Sequence, residues 1–143
     1  MSATAADADG QRSLADKLGF ASDHVVLELG YDDDCDEELR AAIEASIGSA
    51  MLEEDTDEIV DVVLLWWRDD DGDLADALVD ALSSLGSGGV IWLLTPKAGR
   101  QGHVEPSDIG EAVPTAGLSA TKSTSAAAEW SGTRLVAPKV TRR

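Results

Sequence analysis

The sequence predicts an α/β fold: a truncated doubly wound, mostly parallel sheet that closes with a C-terminal antiparallel strand pair. Three observations carry this. Short β-branched and aliphatic runs alternate with segments whose leucines and isoleucines recur every four positions. The best runs are apolar at consecutive positions, as in strands covered on both faces. Glycines and blocks of aspartate punctuate the junctions. Strand, helix, strand, helix, strand within 143 residues implies one domain with right-handed crossovers. A chain of this size buries about two-thirds of the surface its unfolded form exposes.

The elements follow in order. Residues 1 to 11 read as a disordered tail, 12 to 138 as the single α/β domain and 139 to 143 as a frayed end. SLADKLGF predicts a short helix, with Ser13 as N-cap, Leu14 and Leu18 on one face and Gly19 as its stop. HVVLEL is a strand ending at Gly30. In DEELRAAIEASIG, Leu39, Ile43 and Ile47 share one face, Asp34 with Glu37 forms the cap pair, and Gly48 closes the helix. SAMLEED supplies a short edge strand at residues 49 to 52. VDVVLLWW is the strongest strand and belongs in the sheet interior. RDDDGDLADALVDALSSLG predicts a helix with Leu74, Leu78, Leu82 and Leu85 in its stripe and Gly86 as its stop. GSGGVIWLLTP is a turn and a third buried strand, stopped by Pro96, and a short helix starts around Glu105-Pro106-Ser107. LSATKSTS and GTRLVAP form the antiparallel pair, joined by AAAEWSG.

Composition narrows the function classes. The formal net charge is -17, and it is unevenly placed: residues 1 to 80 hold 24 Asp/Glu against 4 Lys/Arg, residues 81 to 143 hold 4 against 7. Such a surface repels phosphate backbones and attracts cations or basic protein surfaces, so direct nucleic-acid binding is disfavoured. The longest apolar run falls far short of the roughly 18 to 20 residues that cross a bilayer, so no membrane role is expected. The start MSATAADADGQR lacks a basic segment followed by an apolar one, and Cys35 is the single cysteine; both fit a cytoplasmic location. There is no GxxxxGK[ST] loop, no GxSxG turn and no CxxC pair.

The layout, with LSSLGSGGVIWLLTP late in the chain and an antiparallel pair at its end, resembles the second half of a class I methyltransferase over residues 25 to 137. The runs VVLELGYDDDCDEELR, VVLLWWRDDDGDL and GVIWLLTPKAGRQGHVEPSDI resemble an uncharacterised family of short acidic actinobacterial proteins, domain of unknown function 3052. The methyltransferase resemblance implies a cofactor turn at LELGYDDDCDEEL, where an acidic strand residue precedes glycines that let S-adenosylmethionine approach the backbone. Glu28 and Gly30 match that opening, while Asp32 and Asp34 stand where further glycines are expected. Their carboxylates oppose the cofactor's own. Glu53 and Glu54 are loose candidates for the ribose-holding acid, and a strand and helix are missing before VDVVLLWW.

Parallel sheets collect ligands beyond their carboxyl strand ends, where strand order reverses. Three loops converge there: 30 to 37, 67 to 73 and 95 to 103. Cofactor candidates are therefore Glu28, Gly30, Asp32, Trp67 and Thr95. Asp32, Asp34, Asp69 and Asp71 are candidate ligands for Mg²⁺ or Ca²⁺. The spacing of Asp32, Asp34 and Asp36 is similar to the start of an EF-hand loop, but Glu37 and Ile43 replace its required glycine and glutamate, so helix capping is the simpler role. Trp66 and Trp67 alternate onto opposite faces and read as core, as does Trp92. Arg68, Lys97, Arg100, His103 and a partly exposed Trp130 are candidate partner contacts. The resulting expectation is a non-catalytic acidic binding or regulatory protein acting on a basic protein partner, with no cofactor. The alternative is an S-adenosylmethionine- or divalent-metal-binding enzyme or sensor using the crevice.

Overall fold

A computed structural model describes Ala15 and residues 17 to 137. The expected tails, Ser13 and Leu14 lie outside the described residues. Five strands, β1 (Val26–Leu29), β2 (Val60–Trp66), β3 (Leu85–Pro96), β4 (Ser119–Ser125) and β5 (Trp130–Val136), form one sheet in the order β1-β2-β3-β5-β4. The first three are parallel, and β5 runs antiparallel to both β3 and β4. Among the described residues, three full helices accompany them: α1 (Glu37–Ile47), α2 (Leu74–Ser83) and α3 (Pro106–Thr115). The α/β prediction with its closing antiparallel pair is what the structure has.

The sheet is covered on both faces. α1 packs Leu39, Ala42, Ile43 and Ile47 against Val26, Val62, Leu64, Trp66, Trp92 and Leu94, with Ala15, Leu18 and Phe20 alongside. α2 and α3 pack on the other face, over Leu27, Val63, Leu65, Ile91, Leu93 and Leu135. Two right-handed crossovers that both stepped from β1 toward β3 would put their helices on one face. The chain avoids this by touching the outer edge of β1 first: Leu52 pairs in parallel with Leu27, its amide donating to the Val26 carbonyl at 2.8 Å. It then crosses back to β2 through residues 53 to 59, which form no helix. Direction therefore reverses at β1, which makes its carboxyl end the switch point.

Several local expectations are corrected. The N-cap of α1 is Asp36, whose carboxylate accepts from the Leu39 amide at 2.8 Å; Asp34 and Glu37 do not form the cap. The edge strand at 49 to 52 shrinks to the single Leu52 bridge. α2 ends at Ser83, and Leu85 and Gly86 belong to β3, because β2 captures the chain early: Val60 pairs with Leu85 and donates to the Ser84 carbonyl at 2.9 Å. Trp130 is not in the connecting turn but opens β5, and it is 1% exposed. Gly48 does close α1, at φ +80°, and Glu105 caps α3 with Pro106 in its first turn. No helix among the described residues is long and apolar enough to cross a membrane.

Three of the four indoles are fully buried, which demands a partner for each N–H. Trp92 donates to the Leu18 carbonyl at 2.9 Å, Trp66 to the Glu28 carboxylate at 2.9 Å and Trp130 to the Asp34 carbonyl at 3.2 Å. The Trp66 and Trp130 rings meet edge to face at 4.8 Å. One of these bonds ends on Glu28 within β1 and another on Asp34 in the loop after it, so the aromatic core itself helps to fix the crevice wall.

Candidate functional site

The crevice opens where β1 and β2 end side by side. Gly30 sits there at φ +80°, and a Cβ on it would lie 2.3 Å from the Trp66 carbonyl oxygen. Only glycine fits so close an approach in that backbone region. Just inside, Glu28 is 8% exposed and carries a charge that burial would penalise heavily without a partner. Arg40, one turn into α1, supplies it through a fork of 2.6 Å from Nε and 2.7 Å from Nη2, and Trp66 Nε1 adds a third bond. The Glu28 hydrogen bond raises the Arg40 pKa, and that of Glu37 adds to it.

The turn is occupied by the protein's own groups. The Gly30 amide donates to the Glu54 carboxylate at 3.0 Å. Arg68, 12% exposed in its side chain, reaches back from the end of β2 and donates through Nη1 to the Gly30 carbonyl at 2.8 Å. Its Nε donates to Asp34 at 3.0 Å and its Nη2 bonds the other Asp34 oxygen and the Cys35 sulfur. The guanidinium also lies 5.2 Å from the Trp130 ring centroid. Burial opposes the Arg68 charge, but Asp34 outweighs it and the pKa rises; the Arg68 hydrogen bond holds the Asp34 carboxyl below its usual range. Burial pushes the Cys35 thiol up to about 11, so it stays protonated at neutral pH. At the rim, the Tyr31 hydroxyl donates to Glu37 at 2.6 Å while Arg40 stacks 4.2 Å from the Tyr31 ring centroid.

A groove of about 540 Å³ remains beside this clasp, floored by Leu27, Leu29 and Leu65 and walled by α2. It lies on the face of β1 that residues 53 to 59, lacking a helix, leave uncovered. Of the predicted site residues, Gly30, Asp32, Trp67, Arg68 and Asp71 line it together with Glu54. Glu28 faces the opposite side, in a second hollow with Arg40 and Tyr31. Asp34 and Asp71 both turn to Arg68, the latter with a 3.6 Å contact to Nη1. Asp69 is tied through its amide to the Gly102 carbonyl at 3.0 Å. Among the described residues, no three His, Cys, Asp or Glu side chains gather as metal ligands.

The third loop reaches the second, with the Gly102 carbonyl on the Asp69 amide and Gly102 against Arg68, but its predicted site residues lie elsewhere. Thr95 and His103 line a separate groove under α3. Arg100 pairs with Glu129 at 3.0 Å, and the Lys97 amide donates to the Glu129 carbonyl. Trp130 is sealed in the core, so its expected exposure is corrected: edge-to-face packing on Trp66 and the bond to Asp34 hold it inside. Sequence reasoning missed Arg40 as the partner of Glu28. The signal was present, since a carboxylate inside an apolar strand requires a cation and only four basic residues precede residue 81.

Residues 15–139 match the model of a protein family of unknown function, DUF3052, and the chain belongs to that family. Uncharacterised proteins of Mycobacterium tuberculosis and Mycobacterium bovis are 53% identical over 136 residues, covering 95% of this chain and 85% of theirs. Among solved structures, the methyltransferase CcbJ from Streptomyces caelestis is similar at TM-score 0.57 and 10% identity, covering 92% of this chain and 90% of that one. The O-methyltransferase NcsB1 of neocarzinostatin biosynthesis, in complex with S-adenosyl-L-homocysteine, is similar at TM-score 0.64 and 15% identity. There the match covers 87% of this chain and 52% of NcsB1, so the chain spans about half of that enzyme's length. At such identities the likeness shows the fold: methyltransferase-like, Rossmann-type α/β.

Proposed function

We propose that this DUF3052 protein is a non-catalytic acidic binding or regulatory protein of the cytoplasm, built on a methyltransferase-like fold and acting on a protein partner with a basic surface. One observation carries the reading. Three groups at the turn after β1 that a cofactor could use already have internal partners: Glu28 has Arg40 and Trp66, the Gly30 amide has Glu54, and the Gly30 carbonyl has Arg68. A cofactor carboxylate entering here must displace Glu54 from its amide and meet the carboxylates of Asp32 and Asp34. Fold likeness supplies no counterweight, because function resides in the site.

The charge split supplies the positive side of the proposal. With 24 of 28 acidic residues before position 81, the β1, α1 and α2 end of the molecule presents a strong negative field, which steers cationic surfaces and raises association rates. Lys97, Arg100 and His103 line the neighbouring loop and are the proposed basic margin of that surface. A pull-down from extract of the source organism at about 50 and 300 mM salt tests it, since the Debye length shortens by about 2.5-fold over that range. Retention lost at the higher salt is the expected result; no partner at low salt, or one indifferent to salt, overturns it.

The open groove beside Gly30 favours one second reading, a sensor or enzyme that takes S-adenosylmethionine, Mg²⁺ or Ca²⁺ there. Calorimetric titration with each of the three separates the two. Saturable heat from any of them, abolished by Asp32→Asn or Glu54→Gln, replaces the first reading with the second.

A further inference from the structure

The groove under α3 differs in chemistry from the rest of this acidic molecule. Its floor is the end of the sheet, where the face that carries Ile91, Leu93 and Leu135 into the core changes to hydroxyls: Thr95 pairs with Ser131, and Thr133 with Ser123. Strand alternation puts Thr95, Ser131 and Thr133 on that face. Ser123 joins them because β4 slips register between Ala120 and Lys122; the extra residue turns Ser123 to the side of Ala120, which strict alternation would deny it. The bulge therefore completes a patch of four hydroxyls on adjacent strands. The walls come from Val104, Pro106, Ile109 and Gly110, and the cavity measures about 530 Å³.

Two further facts point to a ligand. Thr95 and Thr133 are 3% and 8% exposed, and neither hydroxyl hydrogen-bonds another side chain or backbone group among the described residues; neither is sealed from solvent, so both open to the groove. A hydroxyl open to a cavity keeps its donor and acceptor capacity for whatever fills it. The lining also contains no Asp, Glu, Lys or Arg, although the other four cavities described each contain at least one acidic residue. Its single titratable side chain, His103, donates Nδ1–H to the Pro96 carbonyl at 2.9 Å, which leaves Nε2 as an acceptor in the neutral ring. A largely apolar hollow of a few hundred Å³ with a few convergent polar groups is the usual form of a small-molecule site.

We propose that this groove binds an uncharged, flat, oxygen-bearing small molecule, apolar toward α3 and hydrogen-bonded to the hydroxyl patch of β3, β4 and β5. Charged molecules are disfavoured because the lining holds no Asp, Glu, Lys or Arg to compensate a charge removed from water, and its one titratable group, His103, already faces Glu105 at 4.0 Å. The site is separate from the crevice after β1 and shares only His103 with the proposed partner surface.

Three probes sharing one ring system test it: naphthalene-2-methanol, naphthalene-2-carboxylate and naphthalene-2-methylammonium, titrated into the labelled protein while backbone amide resonances are followed. The neutral probe is expected to shift Ile109, Gly110, Ser123 and Thr133 saturably, and the two ions are not. Gly110→Leu should abolish those shifts, since a side chain there meets nothing within 4 Å and projects into open space, and leucine favours a helix over glycine. Thr133→Val keeps the shape, removes one hydroxyl and should weaken binding about three- to tenfold. The proposal is overturned if the neutral probe shifts other residues or none, if either ion binds the groove equally well, or if Gly110→Leu, folded by its own spectrum, still binds.

Discussion

The two ends of the sheet solve the same problem in opposite ways. At the β1–β2 corner, charged groups brought into or near the core are all paired: Glu28 with Arg40, Asp34 with Arg68, the Gly30 amide with Glu54. At the β3–β5–β4 corner there is no acid and no cation in the lining, and the Thr95 and Thr133 hydroxyls open to the groove without protein partners. Both places lie where a ligand might be sought on an open sheet. The contrast teaches that saturation, and not position alone, separates a frame from a site. A corner that has used its donors and acceptors internally has little to offer a ligand, while one that has not retains them.

The largest effect that could break this comparison lies on Arg40. Arg40→Met keeps most of the side chain's apolar reach but leaves the Glu28 carboxylate, 8% exposed, with Trp66 as its one remaining side-chain donor. Breaking a buried pair from one side costs about 3–5 kcal/mol. Denaturant unfolding of Arg40→Met should show a loss of that order, and adding Glu28→Gln should recover much of it, because the uncompensated charge is then gone. If Arg40→Met unfolds within about 1 kcal/mol of the parent, Glu28 is not the buried anion that the saturated corner requires.

Two glycines of nearly the same backbone angle sharpen the point next. Gly30 and Gly48 both sit at φ +80°, but a Cβ on Gly48 meets nothing within 4 Å, whereas on Gly30 it strikes the Trp66 carbonyl. Gly48→Ala should cost about 1 kcal/mol, the strain of the left-handed region alone. Gly30→Ala carries that strain plus a collision with backbone that cannot swing aside, so its cost should exceed the other by about 1–3 kcal/mol. Equal melting shifts for the two variants would mean that β1 and β2 do not approach as closely as the crevice geometry has it.

Much of the fold was legible because it rests on local periodicity. The stripe Leu39, Ile43, Ile47 and the consecutive apolar run of β2 each admit one interpretation. The errors fell where two local solutions were nearly equal and a distant partner decided. Leu85 continues the α2 stripe in sequence, but pairing with Val60 draws it into the sheet. Asp34 and Asp36 are both competent caps, and Asp34 was taken by an arginine 34 positions away. Trp130, flanked by Glu129 and Ser131, reads as a turn residue until Trp66 is known to lie against it. The reversal of strand order at the end of β1 was legible, but the closure of the turn there was not, since Arg68 draws its partners from residues 30, 34, 35, 66 and 71 at once. No one-dimensional pattern encodes a hub of that kind.

The smallest effect concerns pH, and it probes the outer half of the clasp. Arg68 lowers the pKa of Asp34, and Tyr31 with Arg40 lowers that of Glu37. A carboxylate whose folded pKa lies below its unfolded value of about 3.9 contributes stability that is fully present above that value and is lost as pH falls through the folded one. Arg68 stays charged throughout, so Asp34 sets the transition. Because the Asp34 side chain is 47% exposed, solvent screening holds its share to below about 1 kcal/mol. Stability of the parent and of Asp34→Asn, measured from pH 7 downward, should therefore differ by a small constant amount until the carboxylate range is reached. Below it the two curves should converge, as the parent loses the ion pair that the variant never had. Curves that stay parallel into strong acid would show that Asp34 is not titrating against Arg68, and that the guanidinium is held by its other partners, the Gly30 and Trp66 carbonyls, Cys35, Asp71 and the Trp130 ring.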